Sequence, residues 1–204
     1  MTKLIVATLA TALLLVGCLT SAFSVTDESS APVEPRPTPS THIGVRSAEL
    51  GPVEETVPPV RVAIDVAGVN VPVVPVGLEA DGTMELPDNP AIAGWYKFGE
   101  APTSADGNTV ISAHIDAPGF PVGPFASLRS VPAGAEVVVT SADGTSSRYA
   151  VDNVTYYPKS ELPTDLLFAR TGQKDLILIT CGGAYNARTG HYDDNVVLVA
   201  HPID

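Results

Sequence analysis

The chain has 204 residues, 45% of them apolar and 17% charged, with 19 prolines, 17 glycines and a formal net charge of −12. That length holds one domain of ordinary size plus appendages, and the Pro and Gly content suits a globular core with many turns. The acidic balance suits solubility outside a cell; it excludes the clustered Lys and Arg of a phosphate-binding surface, so no nucleic acid partner is expected.

The first element is an apolar run from Leu4 to Val25, with Lys3 the only charge before it and Asp27 the next after it. A run of that length spans a bilayer at about 1.5 Å per residue, and the lone Lys favours an inside N-terminus. Residues 1–26 therefore read as a membrane anchor or a lipoprotein signal. Leu15-Val16-Gly17-Cys18 resembles a bacterial lipobox, in which the Cys is lipidated. Apolar residues past Cys18, such as Leu19, Ala22 and Phe23, suit an uncleaved helix instead; ordinary cleaved export is a third reading. The first two readings both tether the rest of the chain at the outer face of the cytoplasmic membrane. Residues 27–56 show no apolar period and contain Pro32, Pro35, Pro37 and Pro39, the mark of an extended, semi-rigid spacer.

From Val57 to the end the pattern is strand-like. Residues 60–66, 70–76, 109–113, 136–140, 148–154, 176–180 and 195–200 alternate or run apolar, and Asp81-Gly82, Ala105-Asp106-Gly107-Asn108 and Asp143-Gly144 separate them as turns. Seven or eight short strands predict an all-β barrel or sandwich. Short helices are expected within 121–131 and 160–169.

Two of these strands end on reactive side chains. Cys181 follows Leu176–Thr180 and precedes Gly182-Gly183; His114 follows Val110–Ala113. Cys18 lies in the N-terminal run, so Cys181 has no intrachain partner and is a candidate reactive thiol. A thiol beside an imidazole forms the thiolate–imidazolium pair of acyl transfer. Spacing alone leaves the alternative open: a buried Cys and a hydrogen-bonded His that never meet. Asp116 either orients His114 or caps a turn. His191 reads as a structural loop residue, His201 as solvated, and His42 lies in the spacer. No pair of His or Cys has metal-binding spacing, so no catalytic zinc and no other cofactor is expected; Asp193-Asp194 reads as a solvated turn rather than a calcium site.

Several stretches together resemble the catalytic domain of sortases. Leu178-Ile179-Thr180-Cys181 is similar to the family's cysteine strand end, with Ile177 where a Thr is usual, and Ser112-Ala113-His114-Ile115-Asp116 to its histidine strand end. Phe125-Ala126-Ser127-Leu128, Asp81-Gly82-Thr83-Met84 and Ala93-Gly94-Trp95-Tyr96 resemble the flanking stretches. Cys181-Gly182-Gly183 with Gly190-His191-Tyr192-Asp193-Asp194-Asn195 looks most like class F sortases of actinobacteria.

The resemblance implies a closed eight-stranded β-barrel over 57–204. It also implies a cysteine transpeptidase. Cys181 would cleave an LPxTG-like sorting signal of a secreted protein through a thioester, His114 would act as acid and base, and an amine acceptor such as peptidoglycan precursor would take the acyl group. The family's third residue is an Arg at the start of the last strand, a position that falls here on Asn195. Either Asn195 or the nearest Arg, Arg188 in the preceding loop, is the candidate for stabilising oxyanion or substrate. Two other readings are weighed. An L,D-transpeptidase is disfavoured because Thr180 precedes the Cys and His114 lies far upstream. A tethered, non-catalytic binding module would instead keep Cys181 buried.

Overall fold

The computed structural model describes residues 56–204. The expected anchor or lipoprotein signal at 1–26, with Cys18, lies outside the described residues, as does the spacer at 27–56 but for Thr56. Eight strands follow: β1 (Pro59–Ile64), β2 (Val69–Val76), β3 (Ala93–Tyr96), β4 (Thr109–Ser112), β5 (Glu136–Ser141), β6 (Ser146–Pro158), β7 (Leu176–Asn186) and β8 (His191–Ile203). They close into a barrel in the order β1-β2-β3-β4-β7-β8-β6-β5. The fold is the closed eight-stranded β-barrel that the family resemblance implies.

Side chains alternate between the two faces of a strand. In β2, Val69, Val71 and Val73 are buried while Asn70, Pro72 and Val74 are exposed. With Val62, Ile64, Ile111, Val137, Val139, Leu176, Leu178 and Leu198 they fill the barrel, each burial contributing about 1.5–3 kcal/mol.

β4 and the first five residues of β7 differ from the other strands in being covered on both faces. They pair in parallel, and every residue of Thr109–Ser112 and of Leu176–Thr180 is buried. Ile111, Leu176 and Leu178 point inward. Val110, Ile177 and Ile179 point outward and join Val197 in a second apolar cluster, against which Met84, Tyr96, Leu162 and Phe168 pack. Cover on both faces is why these two strands read as continuous apolar runs rather than alternating ones.

The expected helices take short forms. Residues 121–131 hold a 3₁₀ helix at Pro124–Ser130, which buries Phe125 and Leu128. Residues 160–169 are divided between a 3₁₀ turn, Lys159–Glu161, and a single α-turn, α1 (Thr164–Leu167). The strand expected at 60–66 stops at Ile64; Asp65–Ala67 form a 3₁₀ turn that Gly68 closes at φ 64°. β3 was not among the expected strands; it is four residues long, pairing in parallel with β2 and antiparallel with β4. β7 and β8 both run beyond their apolar stretches into one long hairpin.

Candidate active site

β4 and β7 are laced together where they carry His114 and Cys181. The Ala113 N–H and the Ser112 hydroxyl both donate to the Ile179 carbonyl, at 3.2 and 2.9 Å. The buried Thr180 hydroxyl donates back to the Ala113 carbonyl at 2.8 Å. The parallel register pairs Ser112 with Ile179, and two residues further along each chain bring His114 abreast of Cys181. Both side chains are half-buried, and both line one open cleft of about 1120 Å³, with Asp88, Lys159, Tyr185, His191 and Tyr192 on its walls.

The segments flanking the pair are held by close backbone approach. After His114, the Gly123 N–H donates to the Ile115 carbonyl at 2.8 Å. A Cβ at Gly123 would meet the Pro90 carbonyl oxygen at 2.6 Å and that of His114 at 3.0 Å, so only glycine lets this loop fold back so tightly. After Cys181, the ladder with β8 bulges between Gly182 and Tyr185, and Gly183 takes a left-handed φ of 75°. A Cβ on Gly182 would collide with the Val196 side chain and one on Gly183 with Asp194.

Cys181 shares its outward face with Ile177 and Ile179, and in β8 it pairs directly with Asn195. Asn195 pairs in turn with Tyr157 of β6. The chain thus sets His114, Cys181, Asn195 and Tyr157 in one row across β4, β7, β8 and β6. Asn195 lines a neighbouring groove of about 830 Å³, whose walls include Met84, Tyr96, Phe168 and Ile179.

The remaining sequence candidates fall as follows. Arg188 lies in the exposed turn of the β7–β8 hairpin, where its backbone N–H donates to Asn186 Oδ1 at 3.1 Å, and its side chain lines none of the three cavities around Cys181. Asp116 accepts the Tyr192 hydroxyl at 2.6 Å, a bond that holds the phenol of Tyr192 above its ordinary pKa. Among the described residues no hydrogen bond joins Asp116 to His114. His191 sits exposed at the lip of the cleft. His201 has a carboxylate partner rather than water alone: its Nδ1 lies 2.7 Å from Asp152 Oδ1. Among the described residues no three His, Cys, Asp or Glu side chains are grouped to hold a metal ion.

Sequence reasoning missed Lys159, Asp88 and the tyrosine pair of the hairpin. Tyr185 and Tyr192 face each other across β7 and β8, ring centroids 5.2 Å apart and edge-on. The turn residues Thr189-Gly190 between two tyrosines were the available signal for that hairpin.

A family model described as the sortase domain matches residues 62–203. The chain belongs to the sortase family. Solved structures agree with this sortase in fold. Sortase A from Corynebacterium diphtheriae is 19% identical with a TM-score of 0.54, over 74% of this chain and 63% of its own. A sortase C-1 variant from S. pneumoniae is 22% identical with a TM-score of 0.53, over 71% of this chain and 65% of its own. Sortase C1 of Streptococcus agalactiae, in complex with MTSET, is 19% identical with a TM-score of 0.53, over 71% and 66%. The sortase thus spans somewhat under two thirds of the length of the first two. No curated protein matches it.

Proposed function

We propose that this sortase is an extracytoplasmic cysteine transpeptidase of the class F type, with Cys181 as nucleophile and His114 as acid and base. The observation that carries the reading is the parallel β4–β7 register, which puts the only thiol among the described residues beside an imidazole in one open cleft. Cys181 Sγ gives its proton to His114 and attacks the carbonyl carbon of an LPxTG-like sorting signal. The C–N bond breaks, the leaving amine takes a proton from His114, and a thioester remains. An incoming amine, such as that of peptidoglycan precursor, then gives its proton to His114 as it attacks; the C–S bond breaks and His114 returns that proton to sulfur, restoring the thiol. Residues 1–26 would anchor the enzyme to the outer face of the cytoplasmic membrane, by a helix or by lipid on Cys18, and 27–56 would space it from the surface.

Two measurements test the reading together. Cys181 in the folded protein should react with a methanethiosulfonate reagent at neutral pH, and a labelled LPxTG-type peptide should be cleaved and joined to an added amine. A thiol that resists labelling would sink the nucleophile and leave a binding module. A thiol that labels, with no peptide of the series cleaved or transferred, would keep the nucleophile and remove the substrate class.

A further inference from the structure

Attack by a thiol on a carbonyl pushes the π electrons onto oxygen, and the resulting oxyanion needs donors or a cation facing it. The strand neighbour of Cys181 offers only the neutral Asn195. The cations around the site are therefore decisive. Arg188 lines none of the three cavities near Cys181. Arg129 lines a small cavity of about 210 Å³ that Cys181 also lines, but His114 does not line it, and Thr180, Gly182 and Val196 on its walls alternate to the side of the sheet opposite the thiol.

Lys159 is placed differently. It follows Pro158, the last residue of β6, and stands two residues beyond Tyr157, the partner of Asn195. It therefore leaves the sheet at the same end as the thiol. Its side chain lines both the 1120 Å³ cleft that holds His114 and Cys181 and the 830 Å³ groove that holds Asn195 and Ile179, and so stands on the boundary between them. It is also uncommitted. Arg148 is paired with Glu136, Arg170 with Glu100, Arg61 with Asn70, and Lys97 lies over Phe98; among the described residues Lys159 has no ion pair and no side-chain hydrogen bond.

We propose that Lys159 is a catalytic residue whose ammonium faces the carbonyl oxygen of the bond that Cys181 attacks, with the Asn195 amide as a second, neutral donor. Lys159 transfers no proton in the cycle. As the S–C bond forms, the oxygen becomes an anion against the ammonium; as the tetrahedral intermediate collapses, the carbonyl re-forms and either the C–N or the C–S bond breaks. The assignment rests on the reading of Cys181 as nucleophile.

The test compares Lys159→Met, Lys159→Arg, Arg188→Met and, as a remote control on β1, Arg61→Met. With an LPxTG-type peptide and an amine, Lys159→Met should lower kcat about a hundredfold while KM moves less than about threefold. Lys159→Arg should recover most of that loss, and methanethiosulfonate labelling of Cys181 should keep its rate in all four variants. A readout free of turnover is the adduct of Cys181 with a peptidyl trifluoromethyl ketone, which carries the oxyanion. By ¹⁹F NMR, Lys159→Met should raise the pH at which that adduct ionises by about one unit or more. The proposal is overturned if Lys159→Met keeps kcat, if it raises KM alone, if Arg188→Met loses more than Lys159→Met, or if the adduct ionises unchanged. An adduct that forms in a protein that transfers no peptide would count against the proposed substrate and still decide Lys159. A Cys181 that neither labels nor forms an adduct would remove both proposals.

Discussion

The β4–β7 seam and the β7–β8 hairpin share a strand, yet they are built on opposite terms. The seam is buried on both faces, and three hydrogen bonds to the Ile179 and Ala113 carbonyls lock its end. The hairpin beyond Cys181 is bulged and its turn is exposed; it is held by a bond within the turn, Thr189 to Asn186, and by one to the loop after His114, Tyr192 to Asp116. Rigid backbone thus fixes the relation of thiol to imidazole, while the walls of the cleft are left to residues with little else to hold. Precise placement of reacting groups on regular elements, with adaptable loops around them, is how a stable scaffold carries a site.

The comparison is tested most severely at the two side chains proposed to react. Cys181→Ala and His114→Ala should each cut acyl transfer by about a thousandfold or more, with the thermal midpoint shifted by no more than about 2 °C, since neither side chain fills the core; circular dichroism and peptide transfer check both. Loss of folding in either variant would mean that these residues serve structure. Leu178→Ala, inside the seam, should cost about 2–5 kcal/mol by urea unfolding, because it opens a cavity at a fully buried position. Thr180→Val removes the bond to Ala113 while keeping the shape, and should cost about 1–2 kcal/mol. Its counterpart in the hairpin, Thr189→Val, breaks an exposed bond and should stay within about 0.5 kcal/mol. Equal costs at the two threonines would erase the contrast.

The smallest effect is expected at the far end of the seam. Burial, and then the nearby Asp152, hold the Asp175 carboxyl above its ordinary pKa, against a smaller pull from His201. A raised folded-state pKa contributes stability while the carboxyl is protonated, and that contribution is lost as the pH rises through the folded value. Asp175→Asn should therefore melt slightly higher than the parent at neutral pH, with the gap closing as the pH falls below about 4. A gap that widens toward acid would reverse the sign assigned to Asp175.

Much of this was legible in the chain. The runs at 109–113 and 176–180 announce buried strands because no charged residue interrupts them, and the residues that follow them, His114 and Cys181, are the ones that line the cleft. β3 was illegible as a strand, since four residues including Gly94 carry too little pattern to stand out from a loop. The hairpin beyond Cys181 was harder to read, because its glycines and polar residues carry no apolar period and only the two tyrosines flanking its turn mark it. Lys159 had no local signal at all. It lies far from Cys181 in sequence, and only the β8-to-β6 pairing carries it to the boundary of the two cavities.

The lacing of Ala113 to Thr180 joins positions 67 residues apart, and the exposed Asp143-Gly144 turn lies between them. A single cut at that turn would leave the imidazole on one fragment and the thiol on the other. Neither piece could complete a catalytic cycle alone, so recovered turnover on mixing them would measure how well a divided barrel closes again.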